Sequence, residues 1–325
     1  MCRFAALRML ALSTLLAVAG FAGAQQDYPT RPIRIISPYS PGGGNDIMSR
    51  LLGQKLTEAW GQQVLVENRP GGNTIIGTEA TAKAAPDGYT ILLAPSSHVV
   101  VPLLLKTPYD PFKDFTPITS LARGEHIMLI NPAIPAKDLK EFIALAKSKQ
   151  TEINYATYGA GSTSHLIAEL FNLTAGVKMQ HIPYKGTGPA LTDLMGGQVQ
   201  VFMSTMPPAV PLVNSGKLRA IAITGEKRTA AVPQVPTFVE SGLTEFKKIG
   251  SFYGVIGPAG IPKAIVDKLA AQIAKIQALP DFKEKLATQG VVPLINTPEQ
   301  FMALLKEYSA TNDRIIKASN IMVEK

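Results

Sequence analysis

Ser37-Pro38-Tyr39-Ser40-Pro41-Gly42-Gly43-Gly44-Asn45-Asp46 stands between two segments of different periodicity. Upstream, Ile33-Arg34-Ile35-Ile36 is compact and β-branched, which predicts a first strand. Downstream, Ile47, Met48, Leu51, Leu52 and Leu56 recur at spacings of three and four, the pattern of a helix. Asn45 or Asp46 is the expected N-cap. A glycine-rich turn that opens a helix gathers unpaired backbone N–H groups at the positive end of the helix dipole. Such a point suits an anion. A plain strand–helix turn, with glycines supplying positive φ and nothing bound, fits the same residues.

Outward from this unit the plan repeats. Val64–Asn68 reads as a strand, Ile75–Ala84 as a helix, and Tyr89–Ala94 as a strand that ends in Pro95-Ser96-Ser97-His98. Ile118–Ile130 reads as one long, interrupted strand suited to crossing between lobes. A second series follows: helix Ala136–Lys149, strand Ile153–Ala156, the loop Tyr158–His165 and a helix to about Leu173. Strand Met179–Ile182, the loop Pro183–Pro189, a helix to Met195 and strand Val199–Ser204 continue it. Strand Leu218–Thr224 is a candidate return crossing. Ser251–Gly257, Lys263–Ala278 and Pro298–Ala318 then supply a strand and two amphipathic helices. Strands alternating with helices predict doubly wound, mostly parallel sheets, with ligands beyond the carboxyl ends of the strands. The expected units are a discontinuous first lobe (25–122 plus 226–325) and a second lobe (123–225).

The first 24 residues stand apart. Arg3 and Arg8 precede an apolar run from Met9 to Phe21, and Ala22-Gly23-Ala24 has the small-residue form of a cleavage site. This predicts a secretory signal peptide, cleaved near Ala24, with an uncleaved anchor as the alternative. Removing 24 of the 325 residues leaves 301, enough for two domains of about 150. Cys2, the only cysteine, would leave with the leader, which excludes disulfides, thiolate catalysis and cysteine-held metals from the mature chain. An exported chain without cysteine fits a periplasm. The formal charge of +8 falls to +6 without Arg3 and Arg8, and the lysines are scattered. A basic soluble surface explains this better than nucleic-acid binding.

Chemistry-bearing residues collect in the loops. Tyr158–His165 offers Gly159 and Gly161 for close backbone approach, and hydroxyls from Ser162, Thr163 and Ser164 before a helix. Ser162 and His165 raise a hydrolase alternative, but Gly161-Ser162-Thr163 lacks the G-x-S-x-G frame. An N-cap and a first-turn side chain account for the pair as well. His126 and His181 lie by apolar strands and are expected to be packed. Ser96, His98 and Ser204 stand at strand ends that face the expected cleft. Asp46 suits a cap better than a general base, and Lys185 could pair with a carboxylate or simply be exposed. No histidine pair has metal-ligand spacing, and no P-loop, G-x-G-x-x-G or H-E-x-x-H motif is present. Donors are plentiful and acid–base catalysts scarce, so the expected activity is binding, with no catalytic residue, cofactor or metal.

Several blocks in order carry a resemblance: Tyr28-Pro29 through Arg34 into Pro41-Gly42-Gly43, Val66-Glu67-Asn68-Arg69-Pro70-Gly71-Gly72, and Ala85-Pro86-Asp87-Gly88-Tyr89-Thr90. Lys113-Asp114-Phe115, Gly159-x-Gly161-Ser162 with His165-Leu166, Pro183-Tyr184-Lys185-Gly186, Gly196-Gly197-Gln198 and Val235-Pro236-Thr237 with Glu240 complete it. From about Tyr28 to Ile321 the chain resembles the tripartite tricarboxylate transporter substrate-binding proteins, the Bordetella uptake gene family. The resemblance implies a type II periplasmic-binding-protein fold, two doubly wound α/β lobes with a ligand cleft between them. It implies a small carboxylate held by Tyr39, Pro41, Gly42, Gly43, Gly44, Asn45 and Asp46 from one side. From the other it implies Tyr158, Gly159, Gly161, Ser162, Thr163, His165, Lys185, Gly186 and Ala190, with one carboxylate at the Gly159–Ser162 loop.

Three positions depart from the family pattern. Asn45 stands where threonine is usual, Gln200 where an acidic residue is common, and Asn73-Thr74-Ile75-Ile76 is bulkier than the usual glycine/alanine run. The implied partners are the integral membrane subunits of a secondary transporter, with the receptor a monomer and no nucleic acid involved. A sensor that presents a carboxylate to a receptor kinase is the alternative.

Overall fold

The computed structural model describes residues 28–149 and 152–318. The leader expected at 1–24 lies outside them. The chain opens with β1 (Ile33–Ser37), α1 (Gly44–Trp60), β2 (Val64–Asn68), α2 (Ile75–Ala82), β3 (Thr90–Pro95), α3 (Ser97–Leu104) and β4 (Phe115–Gly124). It passes at Glu125 into β5 (His126–Ile130), α4 (Leu139–Ser148), β6 (Asn154–Thr157), α5 (Thr163–Ala175) and β7 (Gln180–Pro183). Then come α6 (Thr187–Met195), β8 (Val201–Thr205), α7 (Met206–Asn214) and β9 (Arg219–Ile223). It ends with β10 (Ser251–Pro258), α8 (Lys263–Ala278), α9 (Pro280–Thr288), β11 (Val291–Pro293) and α10 (Pro298–Ala318).

These strands form two sheets of one plan. The first has the order β11-β4-β10-β3-β1-β2 and the second β7-β6-β8-β5-β9. In the first, β1 runs parallel to β2 and β3, and β10 enters antiparallel between β3 and β4. In the second, β6 runs parallel to β7 and β8, and β5 lies antiparallel between β8 and β9. Each sheet therefore has parallel strands fed by helices with reversed strands among them, β10 and β11 in the first and β5 in the second, and loops at the carboxyl ends of the parallel strands lead directly into helices.

The long strand expected over Ile118–Ile130 is two strands in different sheets, because the chain leaves the first sheet at Gly124 and enters the second at His126. The return is made after β9, not within it. Phe238, Phe246 and Ile249, expected in the first lobe, share a core cluster with Met128, Phe142 and Phe171. Glu125 ties the two crossings together by accepting a hydrogen bond from Thr224 Oγ1 at 2.8 Å. Burial raises the Glu125 carboxyl above its ordinary range, against the opposing effects of Thr224 and Arg123.

Across the seam, Met48, Leu52 and Leu56 of α1 are fully buried in a cluster that includes Met206, Ala209 and Val210 of α7. Burial of each large side chain contributes about 1.5–3 kcal/mol. The helix α7 was not expected, because Pro207, Pro208 and Pro211 hide it. Two of these prolines lie in the first turn, where a missing N–H costs nothing. Leu279-Pro280 likewise ends α8 and starts α9, which the pattern alone did not separate.

Candidate functional site

The turn after β1 is fixed by its polar side chains. Gly43, in extended conformation, is the N-cap of α1, in place of the expected Asn45 or Asp46. Asn45 and Asp46 lie inside the first turn and are 4 % exposed. Asp46 accepts from Gly42 N–H (3.0 Å), Arg50 Nε (3.2 Å) and Asn68 Nδ2 (3.0 Å). Burial raises its carboxyl, but these hydrogen bonds outweigh it and hold the group below the ordinary range. Asn45 accepts from Ser37 Oγ and donates to Leu93 O, both at 2.8 Å. Gly42, at φ +81°, makes the bend.

Between the sheets lies a cavity of about 20 Å³, room for one water-sized group. Four helix N-termini open onto it: Gly43 and Gly44 of α1, Ser96 and Ser97 of α3, Thr187 of α6, and Thr205, the N-cap of α7. Two come from each lobe. Tyr39, Tyr158 and Tyr253 supply aromatic walls, and no charged side chain lines it. Burial pushes all three phenols above their ordinary range, so they remain protonated donors. Tyr39 donates to Ser97 Oγ (2.8 Å), and Tyr158 pairs with His126 Nε2 (2.9 Å). Thr205 Oγ1 and Tyr253 Oη are buried without a hydrogen-bond partner. Both stand beside Gly44, within 2.6 Å of where a Cβ on that residue would lie.

The cleft is closed on two flanks. At one, Ser40 donates from its N–H (3.3 Å) and its hydroxyl (2.9 Å) to Lys185 O. A Cβ on Gly186 would come within 3.0 Å of Ser40 N, and one on Gly188 within 2.7 Å of Pro41 O. At the other flank, Gly159 faces Asn73 and Gly161 faces Leu104. Pro41, Lys185, Gly186, Gly159 and Gly161 thus lie in the seams rather than on the cavity. Lys185 contributes its carbonyl, and its side chain is exposed.

Six expected contacts are turned elsewhere. His98 is fully buried behind α3, its Nε2 2.9 Å from Pro111 O and its ring 4.8 Å from that of Phe115. Because α3 already begins at Ser97, His98 faces the core, and burial lowers its pKa to about 4. His165 accepts Gly161 N–H on Nδ1 (3.1 Å) and stacks on His181 at 4.1 Å. Burial, with the neighbouring His181, lowers it to about 3. Ser162 is the N-cap of α5, its Oγ accepting His165 N–H at 3.3 Å, so the two are not disposed as nucleophile and base. Ser204 donates to Thr205 O, and Ala190 packs in the core with Leu191 and Leu194. Thr163 Oγ1 is buried without a partner and does not line the cavity.

Thr205, Ser251, Phe252 and Tyr253 also line the cavity and were not singled out from the sequence. Thr205 was off by one residue, since successive strand residues face opposite sides. Tyr253 arrives on β10 from a distant part of the chain, with no local signal. Among the described residues, no group of three or more His, Cys, Asp or Glu could hold a metal ion, and no helix is long and apolar enough to cross a membrane.

Residues 48–321 match the family described as "Tripartite tricarboxylate transporter family receptor". Protein BugT of Bordetella pertussis is 38 % identical over 299 residues, 90 % of this chain and 91 % of that protein. The structure described as "R. palustris Rpa4515 with adipate" superposes with a TM-score of 0.88 at 30 % identity, over 91 % of this chain and 99 % of that one. MatC from Rhodopseudomonas palustris with bound malate gives 0.84 at 31 % identity, over 89 % and 100 %.

Proposed function

Because the chain belongs to the tripartite tricarboxylate transporter receptor family, we propose that it captures a small carboxylate in the periplasm by lobe closure and delivers it to the membrane subunits of a transporter. One observation carries this reading. Four helix N-termini, two from each lobe, meet at a cavity that holds two unpartnered hydroxyls and no charged side chain. Backbone N–H groups and helix dipoles there supply positive potential without a basic residue. An anion that completes both halves stabilises the closed form over the open one. Its carboxylate would accept from Thr205 and Tyr253, whose buried hydroxyls are costly while unpaired.

The likeness to proteins with bound adipate and malate supports a dicarboxylate. The receptor works as a monomer without cofactor, metal or nucleic acid. A thermal-shift screen of mono-, di- and tricarboxylates, followed by calorimetry, tests the binding step. A ligand at 100 times its Kd should add about 2.7 kcal/mol of stability. Binding that survives methyl esterification of the carboxylates, or no response to any carboxylate, would overturn the reading. Uptake by membrane subunits reconstituted in vesicles, with and without the receptor, tests delivery.

A further inference from the structure

Residues Gly71 to Thr74 run left-handed for four positions, with φ of 120°, 54°, 53° and 80°. Glycine accepts such angles freely and asparagine tolerates them, but threonine, with its branched Cβ, is an outlier. Asn73 and Thr74 are the only non-glycine residues at positive φ among the described residues. Strain of this kind persists where the surroundings over-determine it, and it gathers at ligand clamps and switches. Two backbone hydrogen bonds close the turn, from Ile75 N–H to Gly72 O and from Ile76 N–H to Gly71 O, but the Thr74 hydroxyl makes no well-formed bond that would hold its own residue left-handed. What the turn achieves is the placement of Asn73. Its Oδ1 stands against Gly159 of the facing lobe, 2.9 Å from the point a Cβ there would occupy, and Gly159 is itself at φ +146°. The opposite flank of the cleft is tied by hydrogen bonds at Ser40, whereas this flank closes by fit.

We propose that Asn73 is the latch of the cleft: a positioning residue, delivered by the strained turn, whose seating against Gly159 sets the balance between open and closed receptor. This rests on the reading of the cleft as one that opens and closes, and it does not depend on which carboxylate is bound. Asn73→Gly keeps the left-handed backbone and removes the seated amide. Gly159→Ala drives a methyl into it. Two spin labels on cysteines introduced at the exposed positions Lys83 and Lys178 report the closed fraction of the ligand-free protein, and adipate and malate serve as probes of release rate.

Both variants are expected to lower the closed fraction and to speed release, by roughly tenfold for Gly159→Ala, as overpacking by one methyl implies. Asn73→Gly combined with Gly159→Ala should recover the part of that loss that comes from the clash, while the backbone strain of alanine at φ +146° persists. A wild-type closed fraction and release rate in both single variants, with only thermal stability lowered, would show the turn to be structural and overturn the latch. Failure of the wild type to bind either probe counts against the proposed function instead, and the ligand-free distances still decide the latch.

Discussion

Gly44→Ala tests the cavity directly. Gly44 is the first residue of α1 and has an ordinary φ, so alanine is allowed there by the backbone. A Cβ at this point would lie 2.5 Å from Tyr253 Oη and 2.6 Å from Thr205 Oγ1. Tyr253 belongs to the same sheet as the strand before Gly44, and its crowding persists whether the cleft is open or closed. Thr205 belongs to the facing sheet, so that clash is relieved on opening. Overpacking by a methyl costs about 1–3 kcal/mol, and its Thr205 share falls on the closed, ligand-holding state alone. With about half of that cost on Thr205, and 1.4 kcal/mol per tenfold, affinity should drop roughly two- to tenfold. Exchanging glycine for alanine in a helix gains about 0.5–1 kcal/mol, which offsets much of the Tyr253 crowding. The ligand-free melting temperature should therefore stay within about 3 °C of wild type. Calorimetry with the tightest carboxylate from the screen reads the loss, and Thr205→Ala added to Gly44→Ala should return part of it. Affinity within twofold of wild type in Gly44→Ala would mean that this cavity is not where the ligand sits.

Asp46→Asn should cost about 1–2 kcal/mol at pH 7 by weakening three partly buried hydrogen bonds. The Asp46 carboxyl is held low in the fold, so its contribution is present above the unfolded carboxylate range and lost as pH falls through its depressed value. Urea denaturation at pH 7 and near pH 3 checks both parts, and equal stability at pH 7 contradicts the reasoning. His98 and His181 are lowered by burial to about 4, and His126 and His165 to about 3. The unfolded chain takes up these protons near pH 6.5, the fold only near 4 to 3. Stability is then full above pH 6.5 and falls below it by up to ~1.4 kcal/mol per pH unit for each histidine. An uptake of fewer than two protons on unfolding at pH 5 would argue against this burial. Ser162→Ala should cost about 1 kcal/mol through loss of the α5 cap and leave carboxylate affinity within a few-fold. Esterase turnover that disappears in this variant would revive the hydrolase reading.

The sheets were legible because β1, β2, β3 and β6 are short apolar runs between helices of clear periodicity. The antiparallel strands were not: β5 and β10 read like any other buried strand, and only tertiary pairing reverses them. The residues that line the cavity followed the same division. Tyr39, Gly43, Gly44 and Asn45 stand in one local motif, so the turn announced them. His98 stands three residues beyond the end of β3, and its placement depends on where α3 begins. Thr205 and Tyr253 carry no local signal, because each becomes a site residue only when a distant strand is laid beside α1. The packing of Phe238, Phe246 and Ile249 was hidden for a related reason. The chain crosses between sheets after β9, but its aromatic residues Phe238 and Phe246 are satisfied only in the second core.

The two orphaned hydroxyls explain why a receptor of this build needs no basic residue to hold an acid. Thr205 and Tyr253 come from different sheets and meet only beside Gly44. In an open cleft water satisfies both, so neither weighs against opening. With both lobes in place neither hydroxyl makes a well-formed hydrogen bond, and a buried hydroxyl left so costs about 1–3 kcal/mol. A carboxylate oxygen removes that cost in one step and gains the dipoles of four helices. The same ligand group is thus rewarded only when both lobes are in place, which is the differential affinity that closure requires. Asn73, on the flank without hydrogen bonds, acts on the other side of this balance. It helps to set how much of the empty receptor is closed before any ligand arrives.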